Sequence, residues 1–179
     1  MIIFNYLLFA SYTFDLKKRN MESLKINYDK LQKDHWSPQE KANTKLLADF
    51  VQTLMNDHRF EEVLQRFDNE KYRQHNRGIA DGMPALVEYV KGFTKRFPDY
   101  TYDVKRIHAD GDMVIFHSQI TTNKKDRGNE HKGINLTDTW RVENNQIVEH
   151  WDSLQPMNGF MRFFFWLTGG KVANSNGVY

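Results

Sequence analysis

Cysteine is absent from the 179 residues, which removes disulfides, thiolate-ligated zinc, iron–sulfur clusters and cysteine nucleophiles together. Any catalysis must therefore use carboxylates, imidazoles, hydroxyls or amides. An excess of one charge is also lacking, because 25 Lys and Arg stand against 23 Asp and Glu for a formal charge of +2. The positives are scattered rather than gathered into a basic stripe, so no nucleic-acid partner is expected. No Gly-rich phosphate loop, P-loop or GxSxG elbow is present, leaving nucleotide and serine-hydrolase readings without support. The histidines show no HExxH or other compact ligand spacing, so no metal is expected.

Long hydrophobic runs are missing as well. Residues 1–14 are mostly apolar and precede Lys17, Lys18 and Arg19, but this run is too short to span a bilayer comfortably. It has neither the basic start nor the small-x-small end of a secretory signal. Three readings stay open for it: an extension upstream of a start at Met21, a weak signal or lipid-interface segment, and packed structure. Membrane contact through residues 1–14 or 160–167 is not favoured, and the expected compartment is the cytoplasm.

What the chain does contain is enough apolar material for one core, since Leu, Ile, Val and Phe make up about a quarter of it. One domain is expected over residues 37–156. Residues 1–36 form an N-terminal extension, with a polar linker after the apolar run, and residues 157–179 an apolar insertion and tail. Ser37-Pro38-Gln39-Glu40 reads as a helix start, with a capping Ser, a first-turn Pro and Glu three residues on. Leu46, Leu47, Phe50, Val51, Leu54 and Met55 then recur at helical spacing through about Asp57. Phe60, Val63, Leu64 and Phe67 repeat the pattern in a shorter helix. A third helix begins near Pro84 and is stopped by Pro98. The segment 72–82 between them is expected to be irregular.

From Tyr100 the period becomes two. Asp110-Gly111 separates the expected strands 102–109 and 113–122, and Asn144-Asn145 separates 134–142 from 146–154, as in hairpins. The charged stretch 123–132 reads as a solvated hairpin tip. Helices first and an antiparallel meander second define an α+β domain, with helices covering one face of a strongly curved sheet.

Several polar groups interrupt the apolar faces of these strands. Asp138 shares its face with Ile134, Leu136, Trp140 and Val142, and a carboxylate there must be paired, hydrogen-bonded or protonated. His150 and Asp152 share a face with Val148 and Leu154. On the strand 113–122, His117 and Gln119 fall with Met113 and Ile115, while Val114, Phe116 and Ile120 take the other side, so parity leaves the inward face open. A lone strand histidine is more often structural than catalytic, yet polar intrusions on adjacent strands point to a pocket. Tyr72, His75 and Asn76, in a segment dense in hydrogen-bonding groups, could form its mouth, while Asp81-Gly82 reads as turn and capping chemistry.

These residues form a recognisable series. Tyr72-Arg73-Gln74-His75-Asn76, Asp81-Gly82, Phe97-Pro98-Asp99, Asp110-Gly111-Asp112, His117-Ser118, Asp138-x-x-Arg141-Val142 and Glu149-His150-Trp151-Asp152-x-x-Gln155 follow in order. The series resembles the SnoaL-like polyketide cyclase family of the nuclear-transport-factor-2-like superfamily. That resemblance implies a cone-shaped α+β barrel around an apolar cavity, a homodimer, and no metal or organic cofactor. It also implies acid–base chemistry next to a carbonyl, as in aldol cyclisation or isomerisation of a small apolar carbonyl compound. Asp138 is then the expected base, with His117 or His150 supporting the developing enolate and Asp152 orienting an imidazole. Tyr72, His75, Asn76, Gln119 and Trp140 are the expected substrate-binding residues. Other members open epoxides, which here would use Asp138 and Asp152 as a pair, and some only bind ligands or dimerise. The apolar stretch 157–170 departs from the family pattern.

Overall fold

The computed structural model describes residues 23–155 together with Phe163 and Leu167. A single turn, α1 (Tyr28–Leu31), precedes α2 (Pro38–Val51). The Ser37 hydroxyl accepts from the Glu40 N–H at 3.2 Å and the Glu40 carboxylate accepts from the Ser37 N–H at 2.8 Å, closing the expected capping box. The sequence pattern continues as one α-helix to Asp57, but the chain instead widens into a π-helical turn, Gln52–Asn56. The Asn56 amide both donates to the Tyr102 carbonyl and accepts from the Tyr102 N–H, each at 2.9 Å. The widened turn therefore aims Asn56 at the sheet and satisfies two backbone groups there.

Helix α3 (Phe60–Phe67) and helix α4 (Met83–Arg96) follow. Gly82, at φ 91°, is the residue before α4 and Pro84 lies in its first turn. Between α3 and α4, the stretch expected to be irregular contains a two-residue strand, β1 (Arg73–Gln74). The meander is β2 (Thr101–Asp110), β3 (Met113–Thr121), β4 (Ile134–Glu143) and β5 (Gln146–Leu154). Asn144 and Asn145 have φ 50° and 60°, the left-handed pair that a tight mirror-image hairpin turn needs.

The sheet runs β1-β5-β4-β3-β2, with β1 parallel to β5 and the other neighbours antiparallel. β1 and β2 are its edges, so the curled sheet stays open. Helix residues Leu47, Phe50, Leu54, Val63 and Met83 pack onto its inner face against Tyr102, Val114 and Phe116, all fully buried. Each such side chain contributes about 1.5–3 kcal/mol.

No helix among the described residues is long and apolar enough to cross a membrane. The expectations for residues 1–14 and for most of 157–179 lie outside the described residues; Phe163 and Leu167 are helical and exposed.

Candidate active site

Strand register decides which polar side chains meet. On β4, Ile134, Leu136, Asp138, Trp140 and Val142 are all buried on the helix-covered face. Asp138 stands opposite Phe116 on β3 and Asp152 on β5, while Trp140 stands opposite Val114 and His150. Directly opposed residues share a face, so β3 turns Val114, Phe116 and Ile120 inward. His117 and Gln119, expected at the pocket, therefore lie on the outer face. There His117 Nε2 contacts the Asn135 side-chain oxygen Oδ1 at 2.6 Å, and Nδ1 accepts from Arg106 at 3.1 Å. Gln119 donates to the carbonyls of Asn129 and Lys132 at 2.7 and 2.6 Å, anchoring the charged hairpin tip.

The parallel pairing of β1 with β5 sets Gln74 in register with His150. Alternation then sends His75 to the opposite side of the strand. Its ring stacks on Trp151 with centroids 4.4 Å apart, and Nε2 lies 3.7 Å from a Glu149 carboxylate oxygen, away from the cavity it was expected to line. Tyr72 is buried behind Gln74 and does not line the cavity either. Asn76, Trp140, Asp138, His150 and Asp152 do.

The cavity has an empty volume of about 920 Å³ including its open mouth. Phe50, Leu54, Leu86, Val90, Phe93 and Ile134 supply much of its wall, and among the described residues no Lys or Arg lines it. Its polar groups are concentrated around Asp138. The His150 Nε2–H donates to Asp138 Oδ1 at 2.9 Å, and the Tyr102 hydroxyl donates to Oδ2. The Gln74 amide nitrogen donates to His150 Nδ1 at 3.0 Å and to the Tyr72 hydroxyl at 3.2 Å. The Asn76 side chain donates to Asp152 Oδ2 at 2.6 Å, and its backbone N–H donates to Gln74 Oε1 at 2.9 Å.

Burial raises the Asp152 carboxyl above its ordinary value, with the Asp138 charge adding to the rise and His150 and Asn76 opposing it. Burial, helped by the Asp138 charge, holds the phenols of Tyr72, Tyr100 and Tyr102 well above their usual range. These phenols remain donors across the physiological range.

Asp138, His150 and Asp152 offer ligand atoms within 4.8 Å of one another, so a metal must be considered. A metal on His150 Nε2 would move the ring proton to Nδ1, where a bound imidazole needs an acceptor. Nδ1 instead faces the Gln74 amide nitrogen. A metal on Nδ1 would have to displace Gln74. The donor set does not suit a metal ion.

Two members of this arrangement were not picked out from sequence. Tyr102 carried a usable signal, the two-residue alternation with Tyr100 and Val104, all three buried. Gln74 lay in the noted polar segment, but only the β1–β5 pairing shows what it touches.

A curled, open α+β sheet with helices over its inner face is the fold expected of a nuclear-transport-factor-2-like protein, and an acid–imidazole group lies in its apolar cavity. Within that class, the model of the SnoaL-like domain matches residues 47–150. This is more than half of the chain, which therefore belongs to the SnoaL-like family. A candidate polyketide cyclase from Bacillus cereus superposes with a TM-score of 0.54 at 17% identity, covering 70% of this chain and 90% of that one. A candidate polyketide cyclase from Acidithiobacillus ferrooxidans gives 0.52 at 18% identity, covering 72% and 96%. TsrD from Streptomyces laurentii gives 0.51 at 15% identity, covering 64% and 90%. Likeness at such identities concerns the fold alone. Comparison of the sequence with curated proteins finds no match.

Proposed function

We propose that this chain is a cofactor-independent acid–base enzyme acting at a carbon next to a carbonyl, by aldol cyclisation or isomerisation, on a small neutral apolar compound. The observation that carries this reading is Asp138, 4% exposed at an apolar cavity and held by the Tyr102 hydroxyl and the His150 ring. Each carboxylate oxygen keeps a second lone pair, so Asp138 can take the α-proton while its orientation is fixed. The proton that Asp138 takes is returned by Asp138 itself, to carbon in an isomerisation or to the new alkoxide in an aldol closure, which regenerates the carboxylate, and Asp152 lines the same cavity. The lack of a lining cation among the described residues, beside two carboxylates, disfavours carboxylate or phosphate substrates.

The developing enolate oxygen needs donors, and Tyr100 and Trp140 line the cavity. The Tyr100 hydroxyl and Trp140 Nε1 are buried without a hydrogen-bond partner among the described residues. Each unpaired buried donor costs about 1–3 kcal/mol, which a substrate oxygen would offset. Both atoms are buried in the cavity wall, so a substrate must shift that wall slightly to reach them.

The test is α-hydrogen exchange. A panel of cyclic, steroidal and polyketide-like ketones is incubated with the protein in heavy water, and deuterium uptake is followed by mass spectrometry. Wild type should accelerate uptake for one class, and Asp138→Asn should lose about 10²–10⁴-fold. Uptake undiminished in Asp138→Asn would refute the base assignment. Saturable binding without exchange by wild type would replace the enzyme with a ligand-binding barrel.

A further inference from the structure

A histidine that faces a carboxylate ordinarily gains a proton, because the negative charge favours the cation. His150 faces two carboxylates, Asp138 on β4 and Asp152 on β5. Two further titratable groups belong to its surroundings: Tyr102, which binds the far oxygen of Asp138, and Tyr72, which binds Gln74. The Trp140 ring stacks on the imidazole with centroids 5.2 Å apart and planes 15° apart. Nothing among these opposes a second ring proton by hydrogen bonding.

Gln74 does oppose it. An imidazolium carries a proton on each nitrogen and needs an acceptor at both, but Nδ1 meets the Gln74 amide nitrogen at 3.0 Å. The amide cannot simply turn over. Its Oε1 accepts from the backbone N–H of Asn76 at 2.9 Å, and a backbone N–H can only donate, so rotation would set donor against donor. Gln74 is fully buried, which keeps water from repairing such a contact. Its backbone N–H is fixed to Asp81 Oδ1 at 2.8 Å, and the next residue's N–H donates to the His150 carbonyl at 2.9 Å.

We infer that Gln74 is a positioning residue that holds His150 as a neutral imidazole protonated at Nε2, so that His150 serves as a fixed donor to Asp138 and does not carry a proton. The consequence for chemistry rests on the acid–base reading above. Proton transfer then belongs to Asp138, and His150 and Tyr102 orient that base.

The experiment uses the full chain labelled with ¹⁵N-histidine at neutral pH, with two-bond proton–nitrogen spectra of the ring. His150 is assigned by the signals lost in His150→Gln. Wild type should show one protonated ring nitrogen, ε2, and a bare δ1; a doubly protonated or δ1-protonated ring would overturn the assignment. Gln74→Glu puts an acceptor where the donor stood, and its ring should gain the second proton. A ring still singly protonated in folded Gln74→Glu would overturn the inference. Should that variant fail to fold, wild type labelled with ¹⁵N in both glutamine and histidine should show a through-hydrogen-bond coupling between Gln74 Nε2 and a bare His150 Nδ1, and a protonated Nδ1 without that coupling would overturn the inference. The two readings fail separately. A doubly protonated ring with intact exchange chemistry sinks the role of Gln74 alone, whereas a neutral Nε2–H ring without exchange chemistry sinks only the proposed activity.

Discussion

Replacing Tyr102 by Phe isolates one hydrogen bond of the candidate site. Tyr102 is 1% exposed and its hydroxyl donates to Asp138 Oδ2. Phe keeps the ring and leaves no cavity beyond the hydroxyl itself, so the change reports the bond rather than packing. A hydrogen bond to a charged group contributes about 1.5–3 kcal/mol, against about 0.5–1.5 kcal/mol for a neutral pair. Tyr102→Phe should therefore lower the unfolding free energy by about 1.5–3 kcal/mol at neutral pH. Asp138→Asn changes the background. Its amide can still accept from His150 through Oδ1 and donate to the Tyr102 oxygen through Nδ2, so only the charge assistance is lost. The same Tyr102→Phe change should then cost about 0.5–1.5 kcal/mol. Urea unfolding of wild type, both single variants and the double variant gives the coupling, expected at roughly 1 kcal/mol or more. Equal costs in the two backgrounds would refute the claim that Tyr102 serves an ionised Asp138.

The raised Asp152 carboxyl makes a signed prediction about pH. Between its unfolded value of 3.8 and its higher folded value, the native state binds more protons. The stabilisation is thus complete below the unfolded value and lost as pH rises through the folded one. Asp152→Asn keeps the acceptor for Asn76 but cannot ionise, so its melting temperature should gain on wild type as pH rises from acid to neutral. A constant difference would count against the raised value. Ser37→Ala removes the cap of α2 and should cost about 1 kcal/mol in chemical denaturation. Gly133, at φ 86°, would place a Cβ 2.2 Å from the Ile120 carbonyl. Gly133→Ala should therefore cost well over the roughly 1–2 kcal/mol of a left-handed residue alone, and unimpaired folding would contradict the local geometry.

Local periodicity carried most of the fold and part of the site. Asp138 was legible because four large apolar residues share its parity, so its side chain could only face the core. His150 and Asp152 followed by the same count. His117 failed because both faces of β3 carry apolar residues and only pairing with β4 separates them. His75 and Gln74 failed for a related reason. They are adjacent, one must face in and one out, and the deciding contact is a two-residue parallel pairing with β5. Nothing in a polar segment of that length announces a strand. The π-helical turn was hidden because a widened turn keeps the same apolar residues and alters only where Asn56 points.

The balance of charge within the cavity favours the acid–base reading over a purely structural one. A buried carboxylate is most simply stabilised by a nearby cation, which also quenches its basicity. Leu or Met at Asp138 would pack against Phe116 and Trp140 with no charge to accommodate. Instead the chain retains Asp138 and Asp152 and surrounds them with hydrogen-bonding side chains: Tyr102, His150 and Asn76 directly, and Gln74 behind His150. These hydrogen bonds satisfy the carboxylate oxygens, while among the described residues no Lys or Arg lines the cavity. That combination lowers stability relative to an apolar core, and the acid–base reading proposed above gives it a use.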